Sequence, residues 1–185
     1  IVDGEPTCWM TPSFITTKDG TRIAYKDWGK GQPILFSHGW PLAGDAWDAQ
    51  MLFFGQKGFR VIAHDRRGHG NSDQPWDGNT MDQYADDLAE LIEKLDLTNL
   101  VLVGHSTGGG EVARLAGGRI EPRVGAVVFS GSITPALCLT DDNPDGAMPF
   151  ESFQGMSDQC AADRDGFLDQ FVTWFYSTGD GGLQV

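Results

Sequence analysis

One stretch, residues 100–110 (L-V-L-V-G-H-S-T-G-G-G), constrains the fold of this chain more than any other. Its first four residues are apolar and strand-forming, the next five have the pattern G-x-S-x-G, and a helix-forming segment follows. A serine at a sharp strand-to-helix turn has a strained backbone, and side chains two positions away on either side would collide there. Glycines remove those collisions, so the pattern predicts a strand–turn–helix unit that presents Ser106.

A unit of this kind suits nucleophilic chemistry at Ser106. The helix N-terminus directs unpaired N–H groups and the positive end of its dipole toward any negative charge that forms there. An oxyanion is the charge that such a site stabilises, and we predict the backbone N–H of Thr107 as its first donor. The alternative is that Ser106 only begins a helix after a glycine turn. The preceding strand and the three glycines at 108–110 disfavour it.

A second loop supports the same chemistry. Residues 33–37 (P-I-L-F-S) are predicted as a buried strand, and H-G-W-P follows directly. Loops at the carboxyl ends of central strands are where an α/β sheet places its site. We therefore predict the backbone N–H of Trp40 as the second oxyanion donor. The imidazole of His38 is interpreted as a structural group that is hydrogen-bonded within this loop.

The order of predicted elements defines the fold class. Two β-rich runs flank a Lys-Asp-Gly turn, which predicts a hairpin near the N-terminus. Strands and helices then alternate as far as residue 130, and this alternation is typical of an α/β fold with a parallel sheet flanked by helices. The predicted strands are 14–17, 22–28, 33–37, 59–63, 98–103 and 124–130, and the predicted helices are 45–56, 80–95 and the segment after Gly110.

Two further segments carry predictions of their own. The helix at 80–95 has apolar residues at three- and four-residue spacing, so that face is expected in the core, and Thr80 with Gln83 forms a predicted capping box. The glycine-rich loop after residue 63 contains Asp65, Arg66 and Arg67, which we expect to pair locally. Its glycines lack the third member of a dinucleotide fingerprint, so no cofactor is predicted there.

The alternation of predicted strands and helices ends after residue 130. Residues 139–149 are rich in Asp, Asn, Pro and Gly and are predicted as loop, whereas 150–160 and 164–176 are predicted as helices. Helices without an intervening strand indicate a lid over the strand ends. The predicted organisation is an N-terminal extension at 1–12, a core at 13–133 and a helical lid segment at 134–185.

Composition excludes several classes of partner. The chain has 13 basic and 26 acidic side chains, a net charge of −13, which argues against nucleic acid or an anionic membrane as partner. The three cysteines form no C-x-x-C pair, so neither a metal site nor a disulfide framework is predicted. No apolar run approaches the roughly 18 residues of a membrane helix, and residues 1–9 contain no secretory signal, so we expect a cytoplasmic protein.

Several unlinked motifs then resemble a known family in the right order. They are K-D-G-T at 18, Y-K-D-W-G at 25, F-S-H-G-W-P-L at 36, D-R-R-G-H-G-N-S-D-Q-P-W at 65, Y-A-D-D-L at 84 and G-H-S-T-G-G-G-E-V-A-R at 104. The chain resembles the α/β-hydrolase fold, specifically the cofactor-free haloperoxidases and their arylesterase and perhydrolase relatives, from residue 13 to about residue 176.

The resemblance implies a function and roles for particular residues. Ser106 would be the nucleophile, the N–H groups of Trp40 and Thr107 would form the oxyanion hole, and Trp40 and Phe129 would contact substrate. Such enzymes hydrolyse small or aryl esters without a cofactor or metal. Some pass the acyl group to hydrogen peroxide, which gives a peracid that oxidises halide.

The chain departs from the family pattern in one respect. The family has its serine, acid and histidine in that chain order, but all four histidines here precede Ser106. A serine hydroxyl needs a base within hydrogen-bond reach. His105 adjoins Ser106 but should point away across the turn, and His38 would lack an orienting acid, so neither is a favoured substitute. The family's last strands and closing helix are also expected to be absent.

Two functional interpretations follow. In the first, the chain is the N-terminal part of a serine hydrolase that acts on small or aryl carboxylic esters, with hydrogen peroxide as a further acyl acceptor. In the second, it is a catalytically inactive hydrolase-fold module that self-associates through the exposed edge strand at 124–130, because an unpaired apolar edge is a template for association.

Overall fold

The computed structural model describes residues 12–118, 121–133 and 136–176, so the predicted extension lies almost wholly outside the described residues. The chain divides into two compact units, residues 1–135 and 136–185. The first contains β1 (Ser13–Thr16), β2 (Arg22–Trp28), β3 (Pro33–Ser37), a 3-10 turn (Gly44–Trp47), α1 (Asp48–Gln56), β4 (Arg60–His64), α2 (Met81–Lys94), β5 (Leu100–His105), α3 (Thr107–Ala116), a second 3-10 turn (Glu121–Arg123) and β6 (Val124–Ser130). The second contains α4 (Phe150–Ala162) and α5 (Arg164–Phe175).

The six strands form one mixed sheet in the order β1-β2-β4-β3-β5-β6. The strands β4, β3, β5 and β6 are parallel, as the alternation predicts, and the hairpin β1–β2 adds to β4 in the antiparallel direction. In the neighbouring strands β3 and β5, Ser37 is in register with Gly104. Because both strands run the same way, the loop after Ser37 and the turn after His105 emerge at the same edge of the sheet.

Two apolar clusters cover the two faces of the sheet. Side chains of a strand alternate between faces, and β5 shows this directly: Leu100 and Leu102 belong to one buried cluster, whereas Val101 and Val103 pack against the other. The first cluster includes Leu88, Leu91 and Ile92 of α2 and Val112 and Leu115 of α3. The apolar face predicted for the helix at 80–95 is therefore core, as expected.

The other face of the sheet is covered by α1. Met51 is fully buried against Phe36 and Val61, and Trp47 and Phe54 pack on the same cluster. The predicted helix at 45–56 is present, but it begins with a 3-10 turn before α1.

The cap of α2 is partly as predicted. The Thr80 hydroxyl accepts a hydrogen bond from the backbone N–H of Gln83, which is the first half of a capping box. The side chain of Gln83 instead donates to Asp87, 3.1 Å away within the same helix. Asp87 is almost fully buried and also accepts from an arginine. Its carboxylate takes the Gln83 amide, which in a full capping box would reach back to the backbone N–H of Thr80.

The second unit contains the two predicted helices. The predicted loop at 139–149 is held by short backbone bridges, and Asn143 donates to the carbonyls of Ala136 and Cys138. The Asp163 side chain caps α5 by accepting from the N–H of Gly166. The role of this unit as a lid stays a prediction. Across both units, none of the described helices is both long and apolar enough to cross a bilayer.

Candidate active site

Ser106 lies at the turn between β5 and α3 that its sequence predicts. Its backbone has φ 51° and ψ −122°, a strained combination for a residue other than glycine. The flanking glycines are required by close packing. A Cβ on Gly104 would lie 2.6 Å from the Cα of Gly109, and one on Gly108 would lie 2.5 Å from the carbonyl oxygen of Ser37. The predicted strand–turn–helix unit is confirmed, with Ser106 half-buried at its apex.

The loop after β3 lies directly against this turn. A Cβ on Gly39 would come within 3.0 Å of the Cβ of Ser106, so the glycine allows the loop to approach the serine. The backbone N–H of Trp40 donates to the side-chain hydroxyl of Thr107 at 3.0 Å. The structure therefore brings together the three residues that the sequence singles out, Ser106, Trp40 and Thr107, at one edge of the sheet.

A carboxylate from α3, Glu111, binds two groups of the sheet and one of the loop after β4. Glu111 is fully buried and accepts from Arg66 Nε at 2.7 Å, from the Ser37 hydroxyl, and from His64, whose Nε2 lies 3.3 Å away. Burial alone would raise the pKa of Glu111, but the charge of Arg66 and the hydrogen bonds from His64 and Ser37 lower it to about 2. Glu111 is thus an ionised group that ties α3 to β3 and β4.

Arg66 spreads this connection to both loops of the site. Its Nη2 donates to the carbonyl of His38 at 2.7 Å, and its Nη1 lies 3.3 Å from the hydroxyl of Thr107. The guanidinium also lies over the ring of Tyr84 in α2, 5.0 Å from its centroid. A single buried cation thus contacts the loop before Trp40 and the first residue of α3.

The expected local pairing in this loop is correct for Asp65 only. Asp65 accepts from the N–H groups of Gly44 and Asn71, each at 2.7 Å. Arg66 instead pairs with Glu111 of α3, and Arg67 pairs with Asp87 of α2 at 2.5 Å and with Asp19 at 2.8 Å. The prediction was wrong because both guanidinium groups are buried, so each needs a carboxylate from a packed helix to replace water.

His38 has the structural role that the sequence suggests. It is fully buried, its Nδ1 lies 2.9 Å from the carbonyl oxygen of Gly39, and its Nε2 accepts the backbone N–H of Arg66 at 3.0 Å. Burial, followed by the charges of Arg66 and His64, lowers the pKa of His38 to about 3. The imidazole is neutral at physiological pH, and both of its nitrogens lie within hydrogen-bond distance of backbone atoms.

The other histidines also have partners within the core or at the sheet edge. His64 bonds to Glu111, and Nδ1 of His69 lies 3.0 Å from the carbonyl of Arg67. Nδ1 of His105 lies 2.9 Å from the carbonyl of Ser130, and its ring meets Trp47 edge-on. These contacts give no support to His38 or His105 as a substitute base for Ser106.

Phe129 lies on β6, in register with Gly104, and is 51 % exposed, while Trp40 is 37 % exposed. Both are therefore accessible aromatic groups near the end of β5, and their contact with substrate stays a prediction. In the described part of the chain, no group of three or more His, Cys, Asp or Glu side chains is arranged to hold a metal ion.

Sequence reasoning missed Arg66 and Glu111 as parts of the site. One local signal existed: Glu111 lies three residues after Gly108 and four before Leu115, so the helical spacing places a lone acid on the face that carries Leu115. Its partner, 45 residues earlier, had no such signal.

Comparison with known proteins agrees with this geometry. Residues 32–179 match the α/β-hydrolase fold family. The chain belongs to that family. It is 51 % identical over 177 residues to a non-heme chloroperoxidase of Burkholderia pyrrocinia, and 51 % identical over 175 residues to a bifunctional esterase/perhydrolase of Acinetobacter calcoaceticus. Each alignment covers 93 % of this chain and 63 % of the relative.

Solved structures show the same relationship. A bromoperoxidase from Bacillus anthracis superposes with a TM-score of 0.86 at 39 % identity, over 92 % of this chain and 62 % of the other. An esterase from Exiguobacterium antarcticum gives 0.83 at 33 % identity, over 87 % and 60 %. The resemblance to haloperoxidases and esterase/perhydrolases is thus confirmed, and the hydrolase-fold chain spans somewhat less than two thirds of these relatives.

Proposed function

We propose that this chain is the nucleophile-bearing part of a serine hydrolase that acts on small or aryl carboxylic esters. The observation that supports this most is the backbone of Ser106, strained at φ 51° between a buried strand and a helix N-terminus. Strain of this kind persists where the surrounding structure enforces it, and the packing of Gly104 and Gly108 enforces it here.

In the proposed mechanism, the Ser106 hydroxyl attacks the ester carbonyl and forms an acyl-enzyme. The negative charge on the carbonyl oxygen is stabilised by the backbone N–H groups of Thr107 and Trp40. In the structure the Trp40 N–H donates to the Thr107 hydroxyl, so substrate oxygen must replace that hydroxyl as the acceptor. Release of the alcohol and attack by water on the acyl group complete the hydrolysis.

The proton of Ser106 needs a base, and we assign that role to a histidine outside these 185 residues. All four histidines of the chain precede Ser106, whereas hydrolases of this fold have the base after the nucleophile. The contacts of His38 and His105 with backbone carbonyls support this assignment.

Hydrogen peroxide is proposed as a second acyl acceptor in place of water. It is a small nucleophile that attacks the same acyl-enzyme carbonyl, and the product is then a peracid rather than a carboxylic acid. The names of the relatives, chloroperoxidase and esterase/perhydrolase, support this choice of acceptor. We propose that Trp40 and Phe129 border the acyl group.

A second candidate function is supported by β6. This strand lies at the edge of the sheet, paired on one side with β5, and its Val128 and Phe129 are 46 % and 51 % exposed. An apolar edge strand that is open along its length is a template for pairing with another chain. The second candidate is therefore an inactive module that self-associates through β6.

Hydrolysis of p-nitrophenyl acetate separates the two candidates. The 185-residue chain and the protein expressed from its complete reading frame are assayed, each with a Ser106→Ala variant. The hydrolase proposal expects activity in the complete protein and a loss of at least about 10³-fold in the variant. Activity that survives Ser106→Ala contradicts the proposal. Activity of the 185-residue chain alone contradicts the assignment of the base. No activity from either protein, with a dimer in sedimentation, supports the inactive module.

A further inference from the structure

A buried cation, Arg66, lies next to Thr107, the residue that follows the serine. Arg66 is 2 % exposed, and a buried arginine is costly unless every donor is used. Its partners come from three separate elements: Glu111 and Thr107 of α3, the carbonyl of His38 in the loop after β3, and the ring of Tyr84 in α2. Pairing with Glu111 balances the charge, and the remaining donors could be satisfied by any buried acceptor. Here their acceptors are the His38 carbonyl and the Thr107 hydroxyl, which belong to the two segments of the site.

Those remaining contacts converge on the two oxyanion donors. The His38 carbonyl lies two residues before Trp40, and the Thr107 hydroxyl accepts the Trp40 N–H while it also lies 3.3 Å from Arg66 Nη1. Thr107 carries the other proposed donor on its own backbone. One rigid guanidinium therefore contacts both segments of the site, the loop after β3 and the N-terminus of α3. Its planar fork of donors fixes the distance between them, whereas the flexible ammonium of a lysine would not.

We propose that Arg66 is a positioning residue for the oxyanion site: clamped by Glu111, it sets the position of the Trp40 N–H relative to the N-terminus of α3. This inference rests on the proposed hydrolase function. Arg66 acts through His38 and Thr107 rather than by touching substrate, so its loss should weaken transition-state binding more than ground-state binding.

The neighbouring arginine provides a matched control. Arg67 is 1 % exposed and pairs with the buried Asp87, but its partners belong to α2 and to the hairpin turn rather than to the site. Removing either buried pair costs stability. Only the Arg66 pair should change catalysis, so the two pairs separate a structural role from a positioning role.

The test measures kcat and KM for p-nitrophenyl acetate, together with Tm, on the complete protein. The variants are Arg66→Met, Arg66→Lys, the double variant Arg66→Met/Glu111→Gln and the control Arg67→Met/Asp87→Asn. The double variant leaves no unpaired buried charge, and its glutamine keeps an acceptor for Ser37 and His64. It therefore remains informative where Arg66→Met alone fails to fold.

We expect kcat to fall by about 10²-fold in both Arg66→Met proteins with KM within about 3-fold, because a displacement near 1 Å has an effect of that size. Arg66→Lys should fall between these and wild type, and the Arg67 control should keep kcat within about 3-fold. Wild-type kcat in the Arg66→Met/Glu111→Gln protein, or an equal loss in the control, overturns the proposal. Activity in Ser106→Ala would instead overturn the hydrolase function itself, so the two failures are distinguishable.

Discussion

β5 and β6 are neighbouring parallel strands of similar composition, yet they have opposite environments. They pair along their whole length, from Leu100 with Val124 to His105 with Ser130. Leu100 and Leu102 are completely buried, whereas Val128 and Phe129 are about half exposed. The difference lies in their neighbours: β5 has β3 on one side and helices over its faces, while β6 ends the sheet. An apolar run thus specifies a strand, and its surroundings decide whether it supplies stability or an accessible surface.

The two strands also differ in how they relate to the Ser106 turn. β5 leads directly into Ser106, and its packing holds the strained turn in place. β6 contributes through its backbone, since the Ser130 carbonyl lies 2.9 Å from Nδ1 of His105, while its Val128 and Phe129 side chains are about half exposed. We expect substitutions in β5 to affect folding and those in β6 to affect contacts made outside the fold.

Truncating a side chain should change the free energy of unfolding far more in β5 than in β6. Leu102→Ala should lower the free energy of unfolding by about 3–5 kcal/mol, because it leaves a cavity among α2, α3 and the sheet. Val128→Ala in β6 should lower it by less than about 1 kcal/mol, since nearly half of that side chain is already in water. Urea unfolding measures both values. Equal losses would show that β6 is covered in solution.

The next effect concerns the loop beside β5. Trp40→Pro removes the N–H that donates to Thr107 and, by our proposal, to the oxyanion, so turnover should fall by about 10²–10³-fold. Trp40→Phe keeps that N–H and is the matched control, with a change expected only in KM. Steady-state ester hydrolysis by the complete protein measures both. A correctly folded Trp40→Pro protein with wild-type kcat would exclude the Trp40 N–H as a donor.

A smaller effect is the pH dependence of stability that the buried His38 creates. Its pKa falls from 6.5 in the unfolded chain to about 3 in the fold. The unfolded state therefore binds the extra proton, and the stability present above about pH 6.5 is lost as pH falls toward 3, at up to about 1.4 kcal/mol per pH unit. Burial lowers the pKa of His69 in the same direction.

Urea unfolding between about pH 7 and pH 5 measures this slope, in a window above the range where Glu111 takes up a proton. His38→Gln should give a shallower slope than wild type, and His69→Gln serves as the comparison for the second histidine. Identical slopes in wild type and His38→Gln would contradict a neutral, buried His38.

The smallest effect on stability is expected at the open edge. Val128→Lys places a charge on an exposed position of β6 and should change the free energy of unfolding by less than about 0.5 kcal/mol. The same charge blocks edge-to-edge pairing. If the 185-residue chain is a dimer in sedimentation, Val128→Lys should make it monomeric. A dimer that persists would show that association uses a different surface.

The Ser106 turn can be predicted from the sequence because the five-residue pattern that specifies it is local. The collision that a Cβ would cause at Gly104 involves Gly108 and Gly109, within a few positions, and the period of α2 is equally readable. The collision at Gly108 involves Ser37 and His38, so the structure adds a long-range reason for that glycine. The partners of Arg66 and Arg67 are not readable in this way. They lie 45 and 20 residues away, and only the packing of α3 and α2 on the sheet decides them.

The burial of β6 is unreadable for a related reason. Its residues V-G-A-V-V-F-S have the composition of a covered strand, and the exposure of Val128 depends on which element lies beside it. The same limit applies to the base of the proposed mechanism. The serine that we propose as nucleophile stands out from a five-residue pattern, but its proton acceptor is defined by tertiary contact.

Covalent modification by a fluorophosphonate locates the proposed nucleophile directly. The complete protein is treated with the reagent, and the adduct is located by peptide mass spectrometry, with Ser106→Ala as the control. We expect one adduct per chain, on the peptide that contains Ser106, and none in the variant. An enzyme that hydrolyses ester while its Ser106 peptide stays unmodified, or one that is labelled equally after Ser106→Ala, would contradict it.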